Sequence, residues 1–299
     1  MEKFSSLDRV VGKVSEDEKG AIFDRRQKMF ETKSIEGLKS LEKEKTPEEL
    51  KVLLEVNEAT NELRRRYGLG DFNIPEENMH LIRKEEWATE GEIAVSLPEM
   101  ERILLRERER KIQFAQSAFH EETHLKSYNA LQKMSDCDKV EKYRHGLRIF
   151  PRSQEKMESM PEGYFHDLNE GVTEELTRRY IMSQVDNPLY ADDFTETKEL
   201  REFAKKNGIR ELLDDDIFSL YRVPGTDEIR AEKFAYKNFR VALYQIRKTI
   251  AEKYPDKFKN SDEVLDVFAR AMFTGHMFEL SKLMEETFGK GTMRAIGTP

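Results

Sequence analysis

The sequence predicts an α+β fold that is mostly α-helical, with a small N-terminal sheet and a helical C-terminal lobe. Three observations predict it. Two short apolar runs, "MHLI" (79–82) and "EIAVSL" (92–97), are strand-like, and the second is stopped by Pro98. Helical spacing of apolar residues dominates elsewhere, above all beyond Pro188. No internal repeat or low-complexity linker divides the 299 residues. Strands confined to the first half, followed by helices, give an α+β arrangement.

The elements follow in order. Residues 1–45 are polar and lysine-rich, with scattered apolar positions at Ile22, Phe23, Met29 and Phe30. They read as a charged, loosely attached N-terminal arm. The rest, 46–299, reads as one domain. Its N-lobe covers 46–135, a hairpin excursion 136–166, and a helical C-lobe 167–299. "TPEELKVLLEVNEATNELRRRYGLG" opens with Thr46 as cap, Pro47 at the first helical position and Glu49 completing a capping box. Gly68 and Gly70 stop that helix. After the two strands, the stretch from Glu99 to Met134 reads as helical over most of its length, with a break near the charged run Arg106 to Lys111. "DLNEGVTEELTRRYIMSQ" is a further helix, with Asp167 or Asn169 as cap. "KFAYKNFRVALYQIRKTIAEKY", "SDEVLDVFARAMF" and "HMFELSKLMEETFG" are helical, their Phe and Met residues facing a core.

Composition restricts the function. Charged residues make up 37% of the chain and the net charge is −8, with signs interspersed. A nucleic-acid footprint needs a basic stripe, which is lacking. No run approaches the roughly 18 apolar residues of a membrane span, and the start has no apolar core of a secretion signal. Cys137 is the only cysteine, so no internal disulfide forms and the expected location is cytoplasmic. Any metal must be held by His, Asp and Glu.

The chemistry concentrates in "AFHEETHLK" (118–126). Positions four apart share one helix face, so His120 and His124 point the same way. Two imidazole nitrogens at that spacing can hold one divalent ion. Glu121 lies about 100° around the helix, close enough to serve as a base for metal-activated water. The alternative is a histidine pair satisfied by ordinary hydrogen bonds. A hydrolytic site wants a third protein ligand and one open position. In "LNEGVTEEL", Glu170 and Glu174 share a helix face, and one can reach the ion while the other orients a ligating imidazole. An ordinary acidic helix start is the alternative there.

"HEETH" followed by "LNEGVTEEL" resembles the gluzincin branch of the zincin metallopeptidases. The resemblance covers mainly residues 112–182. It implies a zincin-like fold built around an active-site helix, with Zn2+ as cofactor and peptide-bond hydrolysis as activity. It further implies that His120, His124 and Glu170 are metal ligands, Glu121 the general base, and Glu174 the carboxylate behind a ligand. The interval between the two motifs is longer than usual in that family, which keeps Glu174 and Glu175 as alternative ligands. No aminopeptidase "GAMEN"-like stretch is present. In zincins an edge strand above the metal helix pairs with extended substrate, a role for which "EIAVSL" is suitably placed.

A donor for the developing oxyanion is also expected. His166, four residues before Glu170, is the first candidate, and a fourth metal ligand is its alternative role. Tyr164, Tyr180, His145 and His276 are further candidates. A packed role is expected for His276 in "FTGHMFEL" and a structural one for His80. Cys137 has nothing that places it near the metal. The run "RERERK" reads as a solvated face. The expected partner is a peptide or protein substrate, with no nucleic acid and no membrane. Two further readings are a structural-metal or catalytically silent helical binding module, and a hydrolase of non-peptide amides or esters.

Overall fold

Ser15 opens the first helix with a capping box. Its hydroxyl accepts from the Glu18 amide at 3.2 Å, and Glu18 reaches back to the Ser15 amide at 2.8 Å. Two end donors of α1 (Glu16–Glu31) are thus satisfied reciprocally. A computed structural model describes residues 5–32, 37–88, 92–134, 139–151 and 162–298. Ahead of α1, β1 (Arg9–Val11) pairs parallel with β5 (Asn129–Lys133). Leu7, Val10 and Phe30 are buried. Residues 5–31 are therefore docked on the body, where a loosely attached arm was expected.

Thr46 and Glu49 form the expected capping box, and α2 (Pro47–Arg66) runs from it. A three-stranded sheet follows, in the order β2-β4-β3. β2 (Met79–Ile82) and β4 (Arg102–Arg106) are parallel, and β3 (Ala94–Leu97) pairs antiparallel with β4 at the edge. Here the helical expectation for 99–134 is corrected at both ends. Residues 102–106 form the central strand and 129–133 form β5, so the helix between them, α3, is only Lys111–Lys126. Ile103 and Leu105 are fully buried with strand partners on both sides, and that pairing overrides their helix propensity. The "RERERK" run is not a simple solvated face either. Arg108 pairs with Glu232 at 2.9 Å, Arg110 with Glu196 at 2.5 Å and Lys84 with Glu109 at 2.8 Å.

A second sheet has the order β1-β5-β6-β7. β6 (Val140–His145) and β7 (Arg148–Ile149) form a hairpin turning at Gly146, whose φ is +59°. Tyr164 returns to exchange backbone bonds with Ile149 at 2.8 and 3.0 Å. The described ends of the excursion therefore close on each other. Cys137 lies outside the described residues. α4 (His166–Ser183) starts from Phe165, which adopts a left-handed conformation and gives no side-chain cap. Asp167 and Asn169, the expected caps, sit inside the first turn.

The C-terminal half is not wholly helical. After α5 (Ala191–Asn207) comes an antiparallel pair, β8 (Ile217–Arg222) and β9 (Ile229–Lys233). Its turn passes Gly225 at φ +77°, and β8 buries Ile217, Phe218, Leu220 and Tyr221. Four helices close the chain: α6 (Lys237–Lys253), α7 (Ser261–Thr274), α8 (Phe278–Phe288) and α9 (Thr292–Gly297). Leu81 and Ile103 of the first sheet share one core with Phe119, Leu176, Phe268 and Met272. α3 and α4 run through that core, and every α3 residue from Ile112 to Lys126 is buried. No helix among the described residues is long and apolar enough to cross a membrane.

Candidate metal centre

α3 places His120 and His124 one turn apart, and their Nε2 atoms lie 3.1 Å from each other. α4 crosses beneath and brings Glu170 Oε2 to 3.4 Å from His120 Nε2 and 3.2 Å from His124 Nε2. All three residues are buried. A tetrahedral ion with bonds of about 2.0–2.1 Å has ligand atoms about 3.3–3.4 Å apart. The observed triangle matches one face of such a tetrahedron, and the His2Glu donor set suits a catalytic zinc ion. The residues present therefore fit a metal ion of this kind.

The partners behind the triad prepare it. Glu174 Oε2 lies 2.8 Å from His120 Nδ1, and its other oxygen accepts from the Ala235 amide at 2.7 Å. A proton on Nδ1 leaves the Nε2 lone pair of His120 for a ligand role. The Asn169 side-chain amide packs 3.4 Å from His124 Nδ1 and takes the Leu147 amide on its oxygen at 2.9 Å. His145 Nε2 donates to the His124 carbonyl at 2.8 Å. Burial pushes His145 down to about 3, so its imidazole is neutral at neutral pH.

Charge is unbalanced here. Burial opposes a charge on His120, but hydrogen bonds to Glu170 and Glu174 outweigh it and raise its pKa well above the ordinary value. Burial also opposes charge on Glu170, yet His124 and His120 hold its carboxyl well below the usual range. Burial raises the pKa of Glu121, partly offset by His120 and His124. Three buried carboxylates face two imidazoles, an arrangement that a divalent cation neutralises.

The triad opens into a cavity of about 500 Å3. One wall is the exposed edge of β3, with Ala94, Val95 and Ser96; the other is Lys233, Ala235 and Tyr236. Tyr236 stacks on His120 with ring centres 6.0 Å apart and on Phe239 at 5.5 Å. Its backbone is left-handed, with φ +51°. Burial, reinforced by the charges of Glu170, Glu121 and Glu174, pushes its phenol far up, so it stays protonated.

The expected residues divide clearly. His120, His124, Glu170, Glu121 and Glu174 are together. His166 lies at the cavity wall, with Nδ1 3.9 Å from Glu170 Oε1 and 3.6 Å from Glu162. Glu175 is not an alternative ligand, because it turns to Arg179 at 2.9 Å and Arg247 at 3.5 Å. Tyr180 is not at the site, because it stacks on Phe119 at 4.3 Å in the core. Tyr164 serves backbone pairing and does not line the cavity. His276 is exposed and does not line the cavity, where a packed role was expected. His80 is buried against Glu42, a structural position.

Tyr236 was missed. It precedes an amphipathic helix with no motif around it, and only the fold of the β9–α6 connection carries it to His120. No family model, curated protein or solved structure matches the chain.

Proposed function

We propose that the protein is a zinc-dependent metallopeptidase that hydrolyses peptide bonds, similar in its site to the gluzincins. The observation that carries this reading is the convergence of His120 Nε2, His124 Nε2 and Glu170 Oε2 beside Glu121, at the floor of a cleft walled by a free strand edge. The antiparallel edge strand and the metal helix beneath it also support a zincin-like N-lobe. His120, His124 and Glu170 would hold Zn2+, which would supply Lewis acidity to a water and to the substrate carbonyl.

The remaining roles belong to the chain. Glu121, buried on the cavity wall, takes a proton from the attacking water and passes it to the leaving amine. Tyr236 donates to the carbonyl oxygen as negative charge develops there. The donor role expected for His166 passes to Tyr236, and His166 faces the Glu170 carboxylate from the rim. β3 binds extended substrate by strand addition.

The test is digestion of a peptide library by the zinc-loaded protein, with and without chelator. Glu121→Gln should retain stoichiometric zinc and lose turnover by about 10²–10⁴-fold. Absence of zinc at His120, or wild-type cleavage by that variant, overturns the reading.

A further inference from the structure

A buried ion pair away from the metal centre ties α1 to the first sheet. The Glu101 carboxylate is fully buried, and Arg26 of α1 pairs with it at 3.0 Å. Glu101 Oε1 also accepts from the Ser5 hydroxyl at 2.9 Å and Oε2 from the Ser6 amide at 2.8 Å. Arg26 makes two further bonds, to the carbonyls of Pro98 and Glu99. One guanidinium thus grips three acceptors of the Pro98–Glu101 turn, a use of the planar fork that lysine cannot copy. Glu101 itself is left-handed, with φ +55°. A non-glycine residue stays in that conformation only when its surroundings impose it.

That turn is where β3 ends. Among the described residues β3 is an edge strand, paired in its sheet with β4. The Arg106 amide bonds to the Ile93 carbonyl at 3.0 Å. By antiparallel alternation, Val95 and Leu97 bond inward to β4, while Ala94 and Ser96 turn their backbone groups to the cleft. Ser96, two residues before Pro98, lines the same cavity there as Glu121. From the other side, Lys142 of β6 pairs with Glu99. The end of α1 is tied to the same turn: Arg102 donates to the Thr32 carbonyl, and Asn78 bridges the carbonyls of Phe30 at 2.9 Å and Glu101 at 3.3 Å.

We propose that residues 5–31 belong to the substrate-binding apparatus, and that Arg26 is a positioning residue that fixes the edge strand β3 through the Pro98–Glu101 turn. The inference rests on the reading of the cleft as a peptide site. The ligand it concerns is an extended peptide backbone, which a strand edge recognises only when its free amide and carbonyl groups are held in register. Arg26 touches neither substrate nor metal. It acts by holding Ala94 and Ser96 at the height of the metal centre.

The experiment compares full-length wild type, Arg26→Met and Arg26→Met/Glu101→Gln, the double variant avoiding a stranded buried carboxylate. Residue-resolved amide hydrogen exchange reads the strand, Co2+ titration reads the metal site, and a pool of internally quenched peptides reads turnover. In both variants the Val95 and Leu97 amides should exchange at least about tenfold faster, a local opening. Exchange within α3 and α7 and the Co2+ affinity should stay at wild-type values. Cleaved peptides should show a raised KM with kcat within about twofold. Unchanged exchange at Val95 and Leu97, or an equal rise throughout α3 and α7 in the double variant, overturns the positioning role. If the wild type cleaves no peptide in the pool, the peptidase reading fails, while the exchange data still decide what Arg26 does.

Discussion

Glu174 holds His120 from behind: one carboxylate oxygen meets Nδ1 at 2.8 Å, and the other is fixed by the Ala235 amide at 2.7 Å. The imidazole is thereby fixed in rotation, with Nδ1 kept toward Glu174. Loss of such a partner commonly weakens metal affinity about 10–100-fold. Glu174→Gln should do the same here, measured as the zinc dissociation constant by competition with a chromophoric chelator. Retention of wild-type affinity would mean that the ring is oriented by packing alone.

Tyr236 sits over the same imidazole from the cleft side. Its phenol is kept protonated by burial and by the carboxylates around it, so it offers a donor across the neutral range. Removing one oxyanion donor typically costs about 10²–10³-fold in kcat. Tyr236→Phe keeps the ring stack and should lower kcat by that order while leaving zinc affinity unchanged. A loss of zinc in this variant would assign the residue to metal retention instead.

The site was legible because its signals are local. His120 and His124 are four residues apart on one helix, Glu170 and Glu174 four apart on another, and helical geometry alone aligns each pair. Their convergence depends on α4 crossing α3, which no spacing in the chain encodes. Errors arose where a local pattern fits two structures. Ile103, Leu104 and Leu105 satisfy a helix as well as a buried central strand, and only β2 and β3 on either side decide the matter. The docking of the arm is hidden in the sequence for a related reason. Arg26 and Glu101 look like ordinary surface charges in sequence, and their pairing spans seventy-five positions.

The arm also provides a pH signature. Glu18 bonds to Lys133 of β5 and to Ser15, and these bonds lower its pKa from an ordinary 4.5 to about 2. A carboxyl depressed in the folded state contributes stability that is complete above its unfolded value. That contribution should be lost as pH falls from about 4.5 through about 2. NMR titration of the Glu18 side-chain carboxyl carbon measures it. Lys133→Met removes the first-ranked cause and should move the midpoint up toward the ordinary value, whereas an unmoved midpoint would leave the Ser15 cap as sole cause.

At the end of α3, Lys126 is fully buried and pairs with Glu122 of the same helix at 3.0 Å. Its ammonium also donates to Thr60 Oγ1 and Asn57 Oδ1 of α2, each at 2.7 Å. Burial pushes Lys126 down to about 8 and Glu122 up, so each depends on the other to stay charged. Removing one partner strands a buried charge, which costs about 3–5 kcal/mol, whereas replacing both is far milder. Lys126→Met should therefore shift the urea midpoint strongly, and Lys126→Met/Glu122→Gln should recover much of that loss. The hydrogen bonds to Asn57 and Thr60 disappear in both variants. If the double variant is as unstable as the single one, those bonds, and not the ion pair, anchor α3 to α2.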